Sequence, residues 1–164
     1  AVLEARKGTA GVISTASGAD GASAEKLYCG GLHEPDWCDE KVKPIHKPRT
    51  LWMNGGEVMK FAVRAMTHAA LKVLEDAGLT IDDVDWIIPH QANIRIIESV
   101  AKRLKQPMDK FPTNLQQCGN ISAASVPILL DKVRKDGMIK HEEKIILSGF
   151  GAGLTWGACA IEWQ

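Results

Sequence analysis

The chain has 164 residues, of which 45% are hydrophobic and 24% are charged, a balance typical of one soluble globular domain. Its 20 basic and 20 acidic residues give a formal net charge of zero, so no overall field attracts nucleic acid or an anionic membrane. The longest apolar runs are far shorter than the roughly 20 residues that a membrane-spanning helix needs. Composition therefore gives no reason to expect nucleic acid or a membrane as a partner.

The sequence has four widely spaced cysteines: Cys29, Cys38, Cys118 and Cys159. Because no signal peptide opens the chain, we expect reduced thiols and a cytoplasmic protein. Cys29 and Cys38 share one stretch with His33 and His46, which makes these side chains a candidate zinc set. Their spacing lacks the closely paired cysteines of common zinc modules, so a metal site is only the minor alternative.

The first 49 residues predict two strands and a long irregular connection. Residues 1–5 and 11–17 are strand-like stretches on either side of the turn RKGTA. The chain opens without an initiator methionine, and its first strand looks like part of something larger. Residues 18–49 show no periodic pattern, and a connection of this length usually has a function or crosses between structural units.

The clearest predicted helix covers residues 57–77 and ends before Gly78, a residue that favours helix C-termini. Thr80 and Asp83 then have the spacing of a capping box ahead of a short turn. The apolar stripe of the helix has a spacing of three or four residues: Val58, Ala62, Met66, Ala69 and Val73.

A strand, a turn and a second helix meet at His90. Residues 86–88 are bulky and too few for a helix, so they predict a buried strand with His90 at its carboxyl end. From Gln91 onward the period is helical. The predicted apolar face of this helix is formed by Ile94, Ile97, Ala101 and Leu104. Ligands of open α/β sheets bind at the carboxyl ends of strands, so His90 is a candidate functional residue.

The last third of the chain continues the alternation of helices and strands. After a proline-containing loop, residues 121–135 predict a helix in which Pro127 causes either a kink or a late start. Residues 144–147 and 154–163 predict two strands around the sequence GFGAG. This alternation places the chain in the α/β class.

Three loops carry candidate chemistry: PHQAN at 89–93, CGNISAAS at 118–125 and SGFGAGLTWG at 148–157. A neutral His90 imidazole and the Asn120 carboxamide can both donate to one developing oxyanion, and a turn of small residues can present backbone N–H groups to another. Each feature alone also fits a structural role. Together, and in this order, they favour stabilisation of an anionic intermediate.

The motifs WIIPHQANIRII, GNISAASVP and GFGAGLTWG resemble the carboxyl-terminal half of the β-ketoacyl-[acyl carrier protein] synthase III family, and GVISTASGADG and MNGGEVMKFAV extend the resemblance over nearly the whole chain. The resemblance implies an α/β thiolase-like layered fold with two similar βαβαβαββ halves. Residues 1–49 would be the last strands of the first half plus the crossing loop. Residues 50–164 would be the second half, with a mixed five-stranded sheet.

The resemblance also implies a decarboxylative condensation between an acyl group, taken from coenzyme A onto a cysteine, and malonyl-[acyl carrier protein]. His90 and Asn120 match the catalytic histidine and asparagine, whereas the nucleophilic cysteine belongs to the first half and matches none of the four present. Gly151, Ala152 and Gly153 match the oxyanion loop. Alanine departs from the glycine common at position 152, which would matter if that residue needed a positive φ.

Binding residues are implied in the same way. The residues matching carrier-protein contacts are Gln91, Ala92, Asn93, Ile94, Arg95, Lys60, Lys102 and Arg103. The residues matching the coenzyme A and pantetheine tunnel are Gly55, Ala92, Asn93 and Phe150. For the basic residues of these sets, an ordinary solvated helix face is the alternative.

The implied partners are acyl-CoA, malonyl-[acyl carrier protein] and a second copy of the complete enzyme, with a coenzyme A thioester as substrate and no cofactor. Two alternatives remain open. One is a related acyltransferase of polyketide or quinolone assembly, in which another acceptor replaces carrier-bound malonate. The other is a module that docks carrier protein and does no chemistry, and the sequence encoded before Ala1 would separate it from an enzyme.

Overall fold

A computed structural model describes residues 5, 10–30 and 50–164. Its strands are β1 (Gly11–Ala19), β2 (Leu27–Cys29), β3 (Leu51–Met53), β4 (Trp86–Pro89), β5 (Lys144–Gly151) and β6 (Thr155–Glu162). Its helices are α1 (Gly55–Ala77), α2 (Ile94–Leu104), α3 (Leu115–Cys118) and α4 (Ser125–Lys135). Residues 1–4 of the predicted first strand and residues 31–49 of the irregular connection lie outside the described residues.

Four of these strands form one mixed sheet in the order β1-β6-β5-β4. β4 and β5 are parallel, with Ile87 opposite Ile146, and the other neighbours are antiparallel. β2 and β3 pair only with each other, so they form a separate two-stranded sheet. The expected single five-stranded sheet is therefore wrong for the described residues, whereas the predicted α/β class is confirmed. β1 joins the sheet of the later strands, so a boundary at residue 49 does not separate two sheets.

The sheet is covered on both faces, which explains why β4 is apolar throughout. Ile87 and Ile146 belong to the core formed with α1 and α2. Ile88 and Ile145 belong to a second core that includes Leu129 of α4. Because β4 and β5 pack against a core on each face, the residues at their carboxyl ends have little freedom to move.

α1 follows the predicted stripe and begins two residues before the predicted start. The Asn54 side chain explains this difference, because it caps the helix by accepting a hydrogen bond from the Glu57 backbone N–H over 3.3 Å. Gly78 ends the helix with a φ of 67°, as predicted. The capping box of Thr80 and Asp83 is also present.

α2 begins at Ile94, three residues later than predicted, because the Asn93 side chain accepts a hydrogen bond from the Arg95 backbone N–H over 2.9 Å and caps the helix. The predicted apolar face is wrong at Ile94, whose side chain is 42% exposed. The buried residues of α2 are Ile96, Ile97, Val100, Ala101 and Leu104.

α4 resolves the question raised by Pro127. A 3₁₀ turn covers Ser122–Ala124, and the α-helix begins only at Ser125. Pro127 therefore lies in the first turn, where its missing N–H leaves no hydrogen bond unmade. The late start is confirmed. Within the described residues, no helix is long and apolar enough to cross a membrane.

Candidate active site

A cavity of about 750 Å³ lies at the carboxyl ends of β4 and β5. His90, Asn120 and Phe150 line it, one from each of the three predicted loops. Apolar side chains such as Val58 on α1 form much of the rest of the wall. A mostly apolar cavity with a few convergent polar groups is typical of a binding or catalytic site.

His90 is held at the end of β4 by backbone and ring contacts. Its backbone N–H donates to the Ser148 carbonyl oxygen over 2.7 Å, continuing the β4–β5 pairing by one residue. Its ring packs against the Phe150 ring edge-to-face, with centroids 5.4 Å apart. Burial lowers the pKa of His90, because removal from water disfavours the imidazolium. The neutral imidazole is therefore favoured.

Ser125 is a site residue that the sequence analysis missed. Its Oγ lies 2.6 Å from His90 Nδ1 and accepts a hydrogen bond from the Gln91 backbone N–H over 3.3 Å. A serine at the first turn of a helix normally indicates a cap, so the sequence carries no separate signal for a contact with the histidine 35 residues earlier.

Asn120 is oriented by its own loop. The Asn120 Oδ1 atom accepts a hydrogen bond from the Ser122 backbone N–H over 3.0 Å. This contact fixes which end of the carboxamide is oxygen. Among the described residues no acceptor is recorded for the two N–H donors of Nδ2, which lie on an exposed side chain at the cavity wall. Asn120 and His90 thus offer neutral donors on the same cavity.

The loop between β5 and β6 contributes the predicted glycine-rich turn. Gly151 and Ala152 line the cavity, whereas Gly153 is not among the described residues that line it. Ala152 does not have a positive φ, so alanine introduces no strain there. Gly153 has a positive φ of 137°, and a Cβ at this position would lie 2.6 Å from Thr155 Cγ2. The turn therefore requires glycine at 153 and not at 152.

The residues matching a pantetheine tunnel all lie on this cavity: Gly55, Ala92, Asn93 and Phe150. They come from the start of α1, the turn before α2 and the end of β5. Met53 and Trp156 also line the cavity and were not singled out from the sequence.

The predicted contact between Gln91 and carrier protein does not fit the structure. Its side chain is fully buried, so it has no surface to offer a partner protein. Its Nε2 donates to the Pro89 carbonyl oxygen over 2.8 Å, and its Oε1 accepts from the Asn114 backbone N–H over 3.2 Å. Gln91 instead ties the end of β4 to the segment before α3.

The basic residues predicted to contact carrier protein are exposed. Arg95, Lys102 and Arg103 lie on α2, and none of them forms an ion pair among the described residues. Lys60 on α1 pairs with Glu57 at 2.9 Å, and both side chains are exposed, so the pair contributes little to stability. Lys102 and Arg103 also lie in the last turn of α2, where positive charge favours the helix.

No described cysteine is placed as a nucleophile in this cavity. Cys29 and Cys118 are exposed, and Cys159 is partly buried on β6. Burial raises the pKa of Cys159, which disfavours a reactive thiolate. None of these three lines the cavity. Of the candidate zinc set only Cys29 is described, and Cys38, His33 and His46 lie outside the described residues.

Residues 74–163 match the family model described as 3-oxoacyl-[acyl-carrier-protein] synthase III C terminal. The chain is 48% identical over 165 residues to the β-ketoacyl-[acyl carrier protein] synthase III of Clostridium novyi, covering 100% of this chain and 50% of the relative. It is 46% identical over 154 residues to that of Clostridium acetobutylicum, covering 93% and 46%. The chain belongs to the 3-oxoacyl-[acyl carrier protein] synthase III family and spans about half the length of these curated relatives.

Solved structures agree with this assignment. The synthase III from Thermus thermophilus matches with a TM-score of 0.87 at 41% identity, over 99% of this chain and 49% of that one. The synthase from Aquifex aeolicus gives a TM-score of 0.83 at 35% identity, over 97% and 46%. The predicted thiolase-like fold is therefore confirmed.

Proposed function

We propose that this chain is the carboxyl-terminal half of an initiating condensing enzyme of type II fatty acid synthesis. The observation that carries the proposal is the shared cavity of His90 and Asn120, both of which present neutral hydrogen-bond donors. The family to which the chain belongs and the relatives named as synthase III support the same function.

The difficult step of the proposed reaction is loss of carbon dioxide from the malonyl thioester. The electrons of the broken C–C bond form an enolate, and negative charge develops on the thioester oxygen. His90 Nε2–H and Asn120 Nδ2–H donate to that oxygen, stabilising the transition state more than the ground state. The enolate carbon then attacks the acyl group carried by a cysteine of the first half, and the thiolate leaves.

The acylation step would use the loop after β5. The backbone N–H of Ala152, on the cavity wall, would donate to the carbonyl oxygen of the acyl group as the tetrahedral intermediate forms. Gly151 and Gly153 would complete this oxyanion loop. Because Ala152 keeps an ordinary φ, the alanine does not oppose the role.

The substrates would reach the cavity through the tunnel residues already named, with acyl-CoA and malonyl-[acyl carrier protein] as partners. The sequence placed the boundary between the two thiolase-like halves after residue 49, but β1 pairs with β6, so β1 would belong to the second half together with residues 50–164. We propose that the complete enzyme acts as a cytoplasmic homodimer. We also propose that it needs no resident cofactor, because side chains and backbone groups supply every donor in the reaction described.

A related acyltransferase is the second candidate. The priming β-ketosynthase of the R1128 polyketide pathway has a similar structure, with a TM-score of 0.78 at 30% identity over 93% of this chain and 45% of that one. The curated synthase III relatives are 46% and 48% identical, which favours fatty acid synthesis.

Acetyl-CoA labelled in the acetyl group tests the proposal. The complete protein should form a stable labelled thioester and then condense it with malonyl-[acyl carrier protein], whereas the isolated chain should form none, because no described cysteine lines its cavity. Stoichiometric labelling of the isolated chain at Cys118 would contradict the proposed division of the site. Carrier-protein binding without condensation by the complete protein would instead indicate a docking module.

A further inference from the structure

Ser125 and His90 form a contact between two elements that the reaction described so far does not use. Ser125 is fully buried at the first residue of α4, and its hydroxyl lies 2.6 Å from His90 Nδ1 at the end of β4. The same hydroxyl oxygen accepts the Gln91 backbone N–H over 3.3 Å.

These contacts favour one direction for the short hydrogen bond, from Ser125 to His90. A serine hydroxyl has one proton to donate, and the Gln91 N–H already occupies one of its oxygen lone pairs. Among the described residues, His90 Nδ1 is the one recorded partner of this hydroxyl that could accept that proton. A separation of 2.6 Å is also more typical of an O–H donor than of an N–H donor.

We propose that Ser125 is a positioning residue that holds neutral His90 in the tautomer protonated on Nε2. Nδ1 then accepts from Ser125, and Nε2, on the other side of the ring, carries the proton donated to the thioester oxygen. The proposal rests on the proposed condensing function, which requires a donor on that nitrogen. In the opposite tautomer Nε2 would present a lone pair to the enolate oxygen and repel it.

The surroundings keep Ser125 and His90 in this arrangement. The buried Gln91 side chain ties its own backbone to Pro89 and Asn114, so the N–H that contacts Ser125 is held in place. Phe150 packs against the imidazole at a centroid distance of 5.4 Å and limits its rotation. Because Ser125 is fully buried, an unmade hydrogen bond of its hydroxyl is costly, so the tautomer that satisfies Ser125 is favoured.

Nitrogen-15 NMR of the histidine rings in the complete enzyme tests the tautomer directly, because protonated and unprotonated ring nitrogens differ widely in chemical shift. His90→Gln assigns the His90 signals by their loss. The wild type should show a protonated Nε2 and an unprotonated Nδ1, Ser125→Ala should shift both toward a mixture, and Ser125→Thr should restore the wild-type pattern. A protonated Nδ1 in the wild type, or an unchanged pattern in Ser125→Ala, would overturn the proposal.

Kinetics give a second readout that a merely structural role would not produce. Ser125→Ala should lower kcat for malonyl decarboxylation roughly 10- to 100-fold, by analogy with the loss found when the outer hydrogen-bond partner of a metal-binding histidine is removed. KM for malonyl-[acyl carrier protein] and the acyl-transfer rate should change little, and Ser125→Thr should recover most of kcat. Equal losses in both half-reactions would overturn the positioning role.

Ser14→Ala is the matched control, since its hydroxyl also makes a 2.6 Å hydrogen bond, to the Val73 carbonyl oxygen, away from the cavity. It should change neither the His90 signals nor kcat.

The NMR result does not depend on turnover. An enzyme with the Nε2-protonated, Ser125-dependent tautomer but no condensing activity would therefore contradict the proposed function while supporting the role of Ser125 toward His90.

Discussion

At the scale of single residues, the position of His90 follows from covalent and steric rules. Pro89 has a fixed φ and is the last residue of β4, and the His90 N–H continues the hydrogen bonding to β5. The imidazole therefore leaves the sheet from a rigid point. A donor fixed in this way meets a developing charge without reorganising, which is the condition for strong electrostatic stabilisation.

Burial of His90 predicts a pH-dependent contribution to stability. The pKa of His90 is lowered in the folded state, so the unfolded chain binds its proton at a higher pH than the folded chain does. As pH falls below the ordinary value of about 6.5, this site should destabilise the fold progressively, until the lowered pKa is passed. Above about 6.5 the site should have no such effect.

Thermal unfolding of the complete enzyme between pH 7.5 and 5.5 checks this expectation. The melting temperature of His90→Gln should fall less steeply with decreasing pH than that of the wild type. His141→Gln, at an exposed histidine, is the control for the loss of an imidazole. A steeper fall in His90→Gln would show that the folded state favours the charged form.

The sequence predicted His90 and Asn120 because their motifs combine a special backbone position with a chemically useful side chain. It did not predict Ser125, because contact between a strand end and the start of a helix 35 residues later depends on tertiary packing. Gln91 shows the opposite error. The resemblance to the synthase III family implied that Gln91 contacts carrier protein, yet its side chain is buried and hydrogen-bonded to backbone groups.

At the scale of elements, Gln91 should matter for stability and not for docking. Gln91→Leu removes the acceptor of the Asn114 backbone N–H and leaves that buried donor unpaired, which costs roughly 1–3 kcal/mol. Chemical denaturation should therefore show a lower unfolding free energy. KM for malonyl-[acyl carrier protein] should change little in enzyme that remains folded, and a selective rise in KM at unchanged stability would restore Gln91 to the docking set.

The exposed face of α2 is the element proposed to dock carrier protein, through Asn93, Ile94, Arg95, Lys102 and Arg103. Arg95→Glu should raise KM for malonyl-[acyl carrier protein], and the increase should be larger at low salt, where steering of an acidic partner is strongest. Acylation by acyl-CoA should change much less.

Lys140→Glu is the matched control, because it makes the same change of charge at an exposed position outside α2. It should leave KM near the wild-type value. Equal damage by Arg95→Glu to both half-reactions, with no salt dependence, would mean that Arg95 supports the fold and does not recognise the carrier.

The elements themselves were predicted well where local signals and packing agree. α1 and β4 have strong periodic or apolar patterns and clear boundaries, and both were found. The face of α2 was misjudged at Ile94, because its cap at Asn93 shifts the helix and turns that side chain to solvent. The pairing of β2 with β3 depends on segments more than 20 residues apart in sequence, and no local pattern encodes that contact.

At the scale of the whole molecule, a cavity assembled from three separate loops explains why the chemistry is specific to this fold. The two apolar cores hold β4 and β5 from both faces, and the loops at their ends converge because parallel strands finish at one edge. Half of this proposed catalytic centre, the donors for the enolate, lies on the described residues. The nucleophile would come from the first half of the complete enzyme.

The measurement that tests the account most directly is carbon dioxide release from malonyl-[acyl carrier protein] by the complete enzyme carrying His90→Ala, Asn120→Ala or both. Each single variant should lose roughly 10²- to 10³-fold in decarboxylation and retain most acyl transfer to the cysteine. The double variant should be scarcely slower than either single one, because two donors that act on one oxyanion as a unit are strongly non-additive. Fully additive losses, or loss of acyl transfer in step with decarboxylation, would contradict a shared role for His90 and Asn120.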